Sequence, residues 1–174
     1  MSFYFSVCST YNYHSKYIDF LLEHYTELQL PYPFAVTLGY IASPLLMGNE
    51  AVLAFNDEDQ VVGAFGYIHG TGEKDYRDVQ IIQIQSVYIT KAYRGTGLFV
   101  QGLQFLLEHV SMQPTAVEEL RFWAPNQPDS HKLFSKFATL VAGRHSESVP
   151  VSEYRLSPEE LRTYLAKFKQ RIFS

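Results

Sequence analysis

Between Val79 and Val110 the sequence changes its apolar period once, and that change restricts the fold more than any other stretch. Across Val79 to Thr90, Ile82, Ile84, Ser86 and Tyr88 alternate with Ile81, Gln83, Gln85, Val87 and Ile89, the two-residue period of a strand. The strand runs straight into Lys91-Ala92-Tyr93-Arg94-Gly95-Thr96-Gly97-Leu98-Phe99. Leu98, Gly102, Phe105, Leu106, His109 and Val110 then recur at helical spacing until Pro114 intervenes. A strand, a glycine turn and a helix start in direct succession aim several backbone N–H groups and the positive end of a helix dipole at one point. A pyrophosphate suits such a point. Gly95 and Gly97 also suit a plain tight corner, so the context has to decide. A dinucleotide-binding turn needs a third glycine where Val100 stands and follows the first strand, and a Walker A loop needs Gly-Lys-Ser/Thr; the chain has neither.

The flanking sequence supplies further strands and helices. Phe3, Phe5 and Val7 alternate with Tyr4 and Ser6, predicting a half-buried first strand. Tyr17, Phe20, Leu21, His24 and Leu28 predict a helix over 13–28 that Pro31 and Pro33 cannot continue, and a second helix is expected over 34–46. Residues 50–55 and 60–69 read as strands of a hairpin joined by Asn56, Asp57, Glu58 and Asp59, with a second turn over 70–74. Residues 118–124 read as another strand, 131–138 as a short helix, and 139–142 and 149–156 as closing strands around Gly143. Ser157, Pro158 and Glu160 form a capping signal for a C-terminal helix over 157–173. Its stripe of Leu161, Tyr164, Leu165, Phe168 and Ile172 packs either on its own domain or against a second copy, which makes a homodimer one expectation. No repeat or linker interrupts the chain, so residues 1–174 are expected to form a single α/β (α+β) domain.

Charge and cysteine content narrow the partners. With a net charge of −4 and scattered Lys and Arg, the chain carries no basic stripe for neutralising phosphates, so no nucleic acid partner is expected. A single cysteine, Cys8, forms no internal disulfide and no metal cluster is evident, which fits a reducing, cytoplasmic setting. No stretch approaches the length of apolar sequence that spans a bilayer, and no membrane association is expected.

The segment around the glycines resembles the acyl-CoA-binding motif of the GCN5-related N-acetyltransferase (GNAT) superfamily: Gln or Arg, two residues, Gly, one residue, then Gly or Ala. Arg94, Gly97 and Phe99 occupy the three defined positions, preceded by Val87-Tyr88-Ile89 and a Tyr-Arg-Gly start at Tyr93. Phe99 departs from the pattern, and its side chain must turn toward the helix packing side if its amide is to stay available. The resemblance covers residues 50–156 well and the first 49 by element order alone. It implies a mixed, mostly antiparallel sheet of six to seven strands flanked by helices and splayed between strands 4 and 5, with the pantetheine arm of acetyl-CoA, or another acyl-CoA, in the gap. It further implies that the amides of Arg94, Gly95, Thr96, Gly97 and Leu98 hold the CoA pyrophosphate, that the backbone at Val87 and Ile89 pairs with pantetheine, and that Asn126 lies near the arm. Leu133-Phe134 to Phe137-Ala138 looks like a weakened form of the family's Leu-Tyr-x-x-x-Gly-Phe signature.

The activity implied is transfer of an acetyl group from acetyl-CoA to a primary amine on a small molecule or peptide, without a metal. Such a transfer needs an unprotonated amine, a route for its proton and donors for the developing oxyanion. The family's Glu on the fourth strand is Gln83 here, and its Tyr acid is Phe134. Tyr88 and Ser86 are the leading catalytic candidates, with His69, Glu73, Asp75 and Asp78 behind them. Tyr88 also fits a groove wall, His69 a hydrogen-bonded strand end, and the three acids a solvated hairpin tip that would favour a cationic amine only if it overhangs the acceptor. Tyr32, Phe34, Tyr40 and Met47 suit either an apolar acceptor pocket or a core beneath a long loop. The losses at Gln83 and Phe134 leave a second class open, a non-catalytic acyl-CoA-binding or interaction module.

Overall fold

A computed structural model describes residues 2–48, 50–141 and 151–172. Among the described residues seven strands form one mixed sheet, in the order β1 (Tyr4–Val7), β2 (Ala51–Phe55), β3 (Val61–His69), β4 (Ile81–Ile89), β5 (Glu119–Pro125), β7 (Val151–Leu156), β6 (Thr139–Leu140). The chain groups into two units that share β4: residues 1–68 with 84–102, and residues 69–83 with 103–174. Each unit is built from two separate stretches of chain, so neither corresponds to one continuous segment.

In the first unit, β1 (Tyr4–Val7) and β2 (Ala51–Phe55) pair antiparallel, and β2 pairs antiparallel with β3 (Val61–His69). The hairpin turn is pinned by Asn56. Its Oδ1 accepts from the amides of Glu58 and Gln60 at 2.9 Å each, and its Nδ2 donates to Gln60 Oε1 and Tyr93 Oη at 2.9 Å each. This is the local chemistry by which Asn closes a turn on its own backbone. Thr10 caps α1 (Tyr11–Glu23), which buries Tyr17, Phe20 and Leu21. The helix expected to reach residue 28 ends at Glu23, and the chain tightens into a 3-10 turn over Tyr25–Leu28. α2 spans Phe34–Leu46, as the sequence predicts. Gly66 lets both helices approach β3, because a Cβ there would collide with Tyr17 Oη and come within 2.7 Å of Pro44 Cγ. The core of this unit gathers Tyr17, Phe20, Leu21, Ile41, Leu53, Phe55 and Tyr88 around the buried, free Cys8.

Strand β4 (Ile81–Ile89) buries Ile82, Ser86 and Tyr88 on one face and exposes Val87 on the other, the alternation read from its sequence. A 3-10 turn (Lys91–Tyr93) and the glycine loop lead into α3 (Leu98–Ser111).

In the second unit, β5 (Glu119–Pro125) pairs parallel with β4 over Ile81↔Glu119, Ile82↔Leu120 and Gln83↔Arg121. It also pairs antiparallel with β7 (Val151–Leu156), which in turn pairs with β6 (Thr139–Leu140). The short helix expected over 131–138 is instead α4 (Pro128–Phe134). Proline at its first turn is preorganised for helix entry, and the Phe134 carbonyl closes its end by accepting from Phe137 N at 3.2 Å and Ala138 N at 2.9 Å. α5 (Pro158–Ile172) starts with the predicted reciprocal cap, Ser157 N to Glu160 Oε1 at 3.2 Å and Glu160 N to Ser157 Oγ at 3.1 Å. Leu161, Tyr164 and Leu165 are buried within the chain, with Tyr164 against Phe137 at 5.0 Å between ring centres. That part of the stripe is therefore not a free dimer surface. The expected turn at Gly143, strand residues 142, 149 and 150, and the side chain of Ile172 lie outside the described residues.

Candidate functional site

The loop between β4 and α3 takes the conformation its glycines permit. Gly95 and Gly97 have φ of +78° and +89°, a region that residues with a Cβ avoid. Nothing lies within 4 Å of a Cβ built on Gly95, and only Gln101 Nε2, at 3.8 Å, lies near one built on Gly97. Arg94, Gly95 and Gly97 are exposed, so their backbone faces open space. α3 begins directly after Gly97, and its first amides have no intrahelical acceptor by the geometry of a helix start. Gln101 N donates to Gly97 O at 3.0 Å, setting the first turn, and Thr96 Oγ1 donates back to Tyr93 O at 2.5 Å. Tyr93 is itself tied to Asn56, so the β2–β3 turn fixes where the loop starts. Leu98 is buried against Ala54 and Val62, which anchors the helix end. Phe99 is half-buried on α3. These backbone donors, open space and a helix start fit the diphosphate of an acyl-CoA.

The predicted catalytic pair is divided by its surroundings. Ser86 is buried and its Oγ lies 2.6 Å from Tyr17 Oη, itself fully buried, so the hydroxyl sits inside the core. Tyr88 is buried too, but its hydroxyl reaches the 3-10 turn that follows α1 and donates to Glu27 Oε2. Burial, followed by that bond, pushes the Tyr88 phenol up to about 12. Val87 projects outward, and the Ile89 carbonyl accepts from Arg94 Nε at 3.1 Å. The Arg94 guanidinium carbon lies 5.5 Å from the centre of the Tyr88 ring.

Glu27 gathers a cluster that the sequence did not disclose. Besides Tyr88, its Oε2 accepts from His24 Nδ1 at 2.9 Å, and Oε1 lies 3.6 Å from Lys91 Nζ. The Tyr88 bond, then the His24 bond, hold the Glu27 carboxyl down at about 2. The His24 ring stacks on Tyr88, with centroids 4.5 Å apart and planes 24° apart, and meets Phe20 edge-on at 4.9 Å. His24 was read as one member of a helix stripe, and Glu27 carried no signal at all, because their partner Tyr88 stands 61 positions beyond Glu27.

The second unit holds the remaining candidates. Gln83 Nε2 donates to Gly70 O at 2.7 Å, so this side chain is a structural donor holding the 70–74 turn. Phe134 packs against Phe122 and Tyr154 at 5.0 and 5.4 Å. Asn126 Oδ1 accepts from His131 Nε2 at 2.8 Å, and the Tyr154 hydroxyl lies 3.1 Å from His131 Nδ1. An amide oxygen only accepts, so the proton of a neutral His131 ring sits on Nε2 and Tyr154 donates to Nδ1. His69 Nδ1 donates to Val79 O at 2.9 Å. Asp78 accepts from Thr71 N and Oγ1 at 2.7 and 2.6 Å, while Glu73 and Asp75 line a solvent-open cavity of about 560 Å³ with Arg77, Asp78 and Arg121.

The backbone path as a whole matches many solved structures. A GNAT-family acetyltransferase from Staphylococcus aureus superposes with a TM-score of 0.65 at 16% identity, covering 90% of this chain and 99% of that one. The fold is that of the GNAT acetyltransferases. An acetyltransferase from Salmonella typhimurium described as modifying the N-terminal serine of ribosomal protein L7/L12 gives a TM-score of 0.60 at 13% identity, over 90% of this chain and 95% of that one. A spermidine N-acetyltransferase chimera from Vibrio cholerae and hSSAT gives 0.61 at 10%, over 93% and 99%. No family model and no curated protein matches the sequence. Among the described residues no cluster of His, Cys, Asp or Glu is placed to hold a metal, and no helix is long and apolar enough to cross a membrane.

Proposed function

We propose that the protein is a cytoplasmic acyl-CoA-dependent N-acyltransferase that moves an acetyl group from acetyl-CoA to a primary amine of a small molecule or peptide. The observation that carries this reading is the loop Arg94 to Leu98, exposed at Arg94, Gly95 and Gly97, with two glycines at positive φ opening onto α3. Arg94, Gly95, Thr96, Gly97, Leu98 and Phe99 are assigned to the diphosphate, the backbone of Val87 and Ile89 to the pantetheine arm and the oxyanion, and Asn126 to a supporting position. Solved proteins of the same fold that are described as acetyltransferases, on acceptors as different as a ribosomal protein and spermidine, support the reaction type and leave the acceptor open.

Ser86 is not retained as a catalytic group, because a hydroxyl buried against Tyr17 reaches no substrate. Holding the thioester and amine together in a fixed geometry supplies much of the acceleration such a transfer needs. The non-catalytic alternative draws on Gln83, which serves Gly70, and Phe134, which has no proton to give. Calorimetric titration with acetyl-CoA, with Gly97→Glu as the comparison, tests the site. Release of CoA thiol in the presence of a panel of primary amines tests turnover. Micromolar binding lost in Gly97→Glu, together with amine-dependent thiol release, is the expected result. Binding without turnover across the panel favours the binding module, and no binding by the intact protein refutes the proposal.

A further inference from the structure

We propose that His24 is the general base of this site, with Nε2 as the basic atom and Glu27 as the residue that orients it. The inference rests on the acyltransferase reading above and adds to it a residue that neither the motif nor the fold assigns.

Ionised Glu27 only accepts hydrogen bonds, so the His24 Nδ1 atom 2.9 Å away must carry a proton. In the neutral ring the lone pair is then on Nε2, which has no hydrogen-bond partner among the described residues. The ring cannot easily turn to exchange its nitrogens, because it is stacked on Tyr88 at 4.5 Å and edged by Phe20 at 4.9 Å. Glu27 is itself fixed by Tyr88 Oη and by Lys91. A fixed carboxylate, an imidazole locked in one tautomer and a second ring nitrogen left unbonded on a partly accessible side chain are the elements from which proton-abstracting dyads are built.

Position supports the same role. Tyr88 links His24 to the cofactor loop, since its ring carries His24 and lies 5.5 Å from the Arg94 guanidinium. The other groups are unsuited to the task. Tyr88 is donating its proton to Glu27, Glu27 has both oxygens engaged, and Gln83 has no basicity. The charged and titratable groups facing His24 are Glu27 on its own segment, Tyr88 on β4, and Lys91 and Arg94 beyond it.

The step is balanced without further reactants. An unprotonated amine nitrogen attacks the thioester carbonyl carbon, forming the C–N bond while one N–H proton passes to His24 Nε2. The C–S bond breaks with its electron pair on sulfur, and the imidazolium returns the proton to that thiolate. The products are the amide and CoA thiol.

Diethyl pyrocarbonate, which acylates unprotonated imidazole nitrogen, tests the proposal on the intact chain. Modification of His24, mapped by mass spectrometry, should slow by about tenfold or more when acetyl-CoA saturates the site. His24→Gln should bind acetyl-CoA within about threefold of wild type, yet release thiol in the presence of primary amines about 10²- to 10⁴-fold more slowly and without the rising limb of the wild-type pH profile. If calorimetry detects acetyl-CoA binding but His24 stays unmodified, or reacts at the same rate with and without acetyl-CoA, the base assignment is overturned and the acyltransferase reading stands. An unchanged pH profile in His24→Gln overturns it equally. Absence of acetyl-CoA binding removes the parent reading and the base assignment together.

Discussion

Replacing glycine by alanine should have opposite effects at two positions, because the backbone differs and the space does not. At Gly97 an added Cβ meets nothing closer than Gln101 Nε2 at 3.8 Å, an ordinary contact, so sterics against neighbours contribute nothing. The backbone, however, stands at φ +89°, where an L-residue is disfavoured by about 1–2 kcal/mol. At Gly39, inside α2, a Cβ also meets nothing within 4 Å and φ is unexceptional, so alanine should stabilise by about 0.5–1 kcal/mol through helix propensity. For a chain of this length Gly97→Ala should lower Tm by about 2–8 °C and Gly39→Ala should raise it by about 1–4 °C. Gly97→Ala can relieve its strain by rotating the adjoining peptide, which turns an amide away from the diphosphate. A lost hydrogen bond to a charged group is worth about 1.5–3 kcal/mol, or about 10- to 150-fold in affinity for acetyl-CoA. Thermal unfolding and calorimetry read the two effects separately, with Gly97→Asn intermediate because asparagine tolerates the left-handed region. Equal Tm shifts at both positions, or unchanged acetyl-CoA affinity in Gly97→Ala, would refute the conformational argument.

Four other substitutions follow from named contacts. Asn56→Ala removes four side-chain hydrogen bonds from a buried turn and should cost about 2–4 kcal/mol in urea unfolding, against about 0.5–1.5 for Tyr93→Phe, which removes one of them. Gln83→Glu, which puts a carboxylate at this position of β4, takes a donor from the Gly70 carbonyl, with an expected cost of about 1–3 kcal/mol by the same assay. The Glu27 carboxyl titrates at about 2 when folded, below the ordinary 4.5, so the unfolded chain takes up the proton first as the pH falls. Its stabilisation is present above pH 4.5 and lost between there and about 2, and the stability gap between wild type and Glu27→Gln should therefore narrow over that window in denaturation series.

The parts of the fold that were legible in the sequence are those governed by neighbours in the chain. The period change at Lys91 to Leu98 gave the β4–loop–α3 corner, four turn formers gave the hairpin at Asn56, and Ser157 with Glu160 gave the start of α5. Local rules failed where a distant partner intervened. The helix expected to continue to Leu28 ends at Glu23, and the tighter turn that replaces it holds Glu27 against Tyr88, a partner 61 residues away. Asn56 was readable as a turn former but not as the anchor of Tyr93, 37 residues on. Ser86 and Tyr88 share a strand face and looked equivalent, yet one meets the Tyr17 hydroxyl in the core and the other a carboxylate beside the loop. Alternation along a strand identifies the face of a side chain, whereas its chemistry is set by what packs onto that face.

Amide chemical-shift mapping of the ¹⁵N-labelled protein during titration with acetyl-CoA tests most directly whether the backbone amides of the glycine loop grip its diphosphate, as proposed. The amides of Arg94 through Leu98 should move with a common saturation curve, together with those next to Val87 and Ile89. Shifts confined to other parts of the chain, or a loop that stays still while acetyl-CoA binds, would contradict the account.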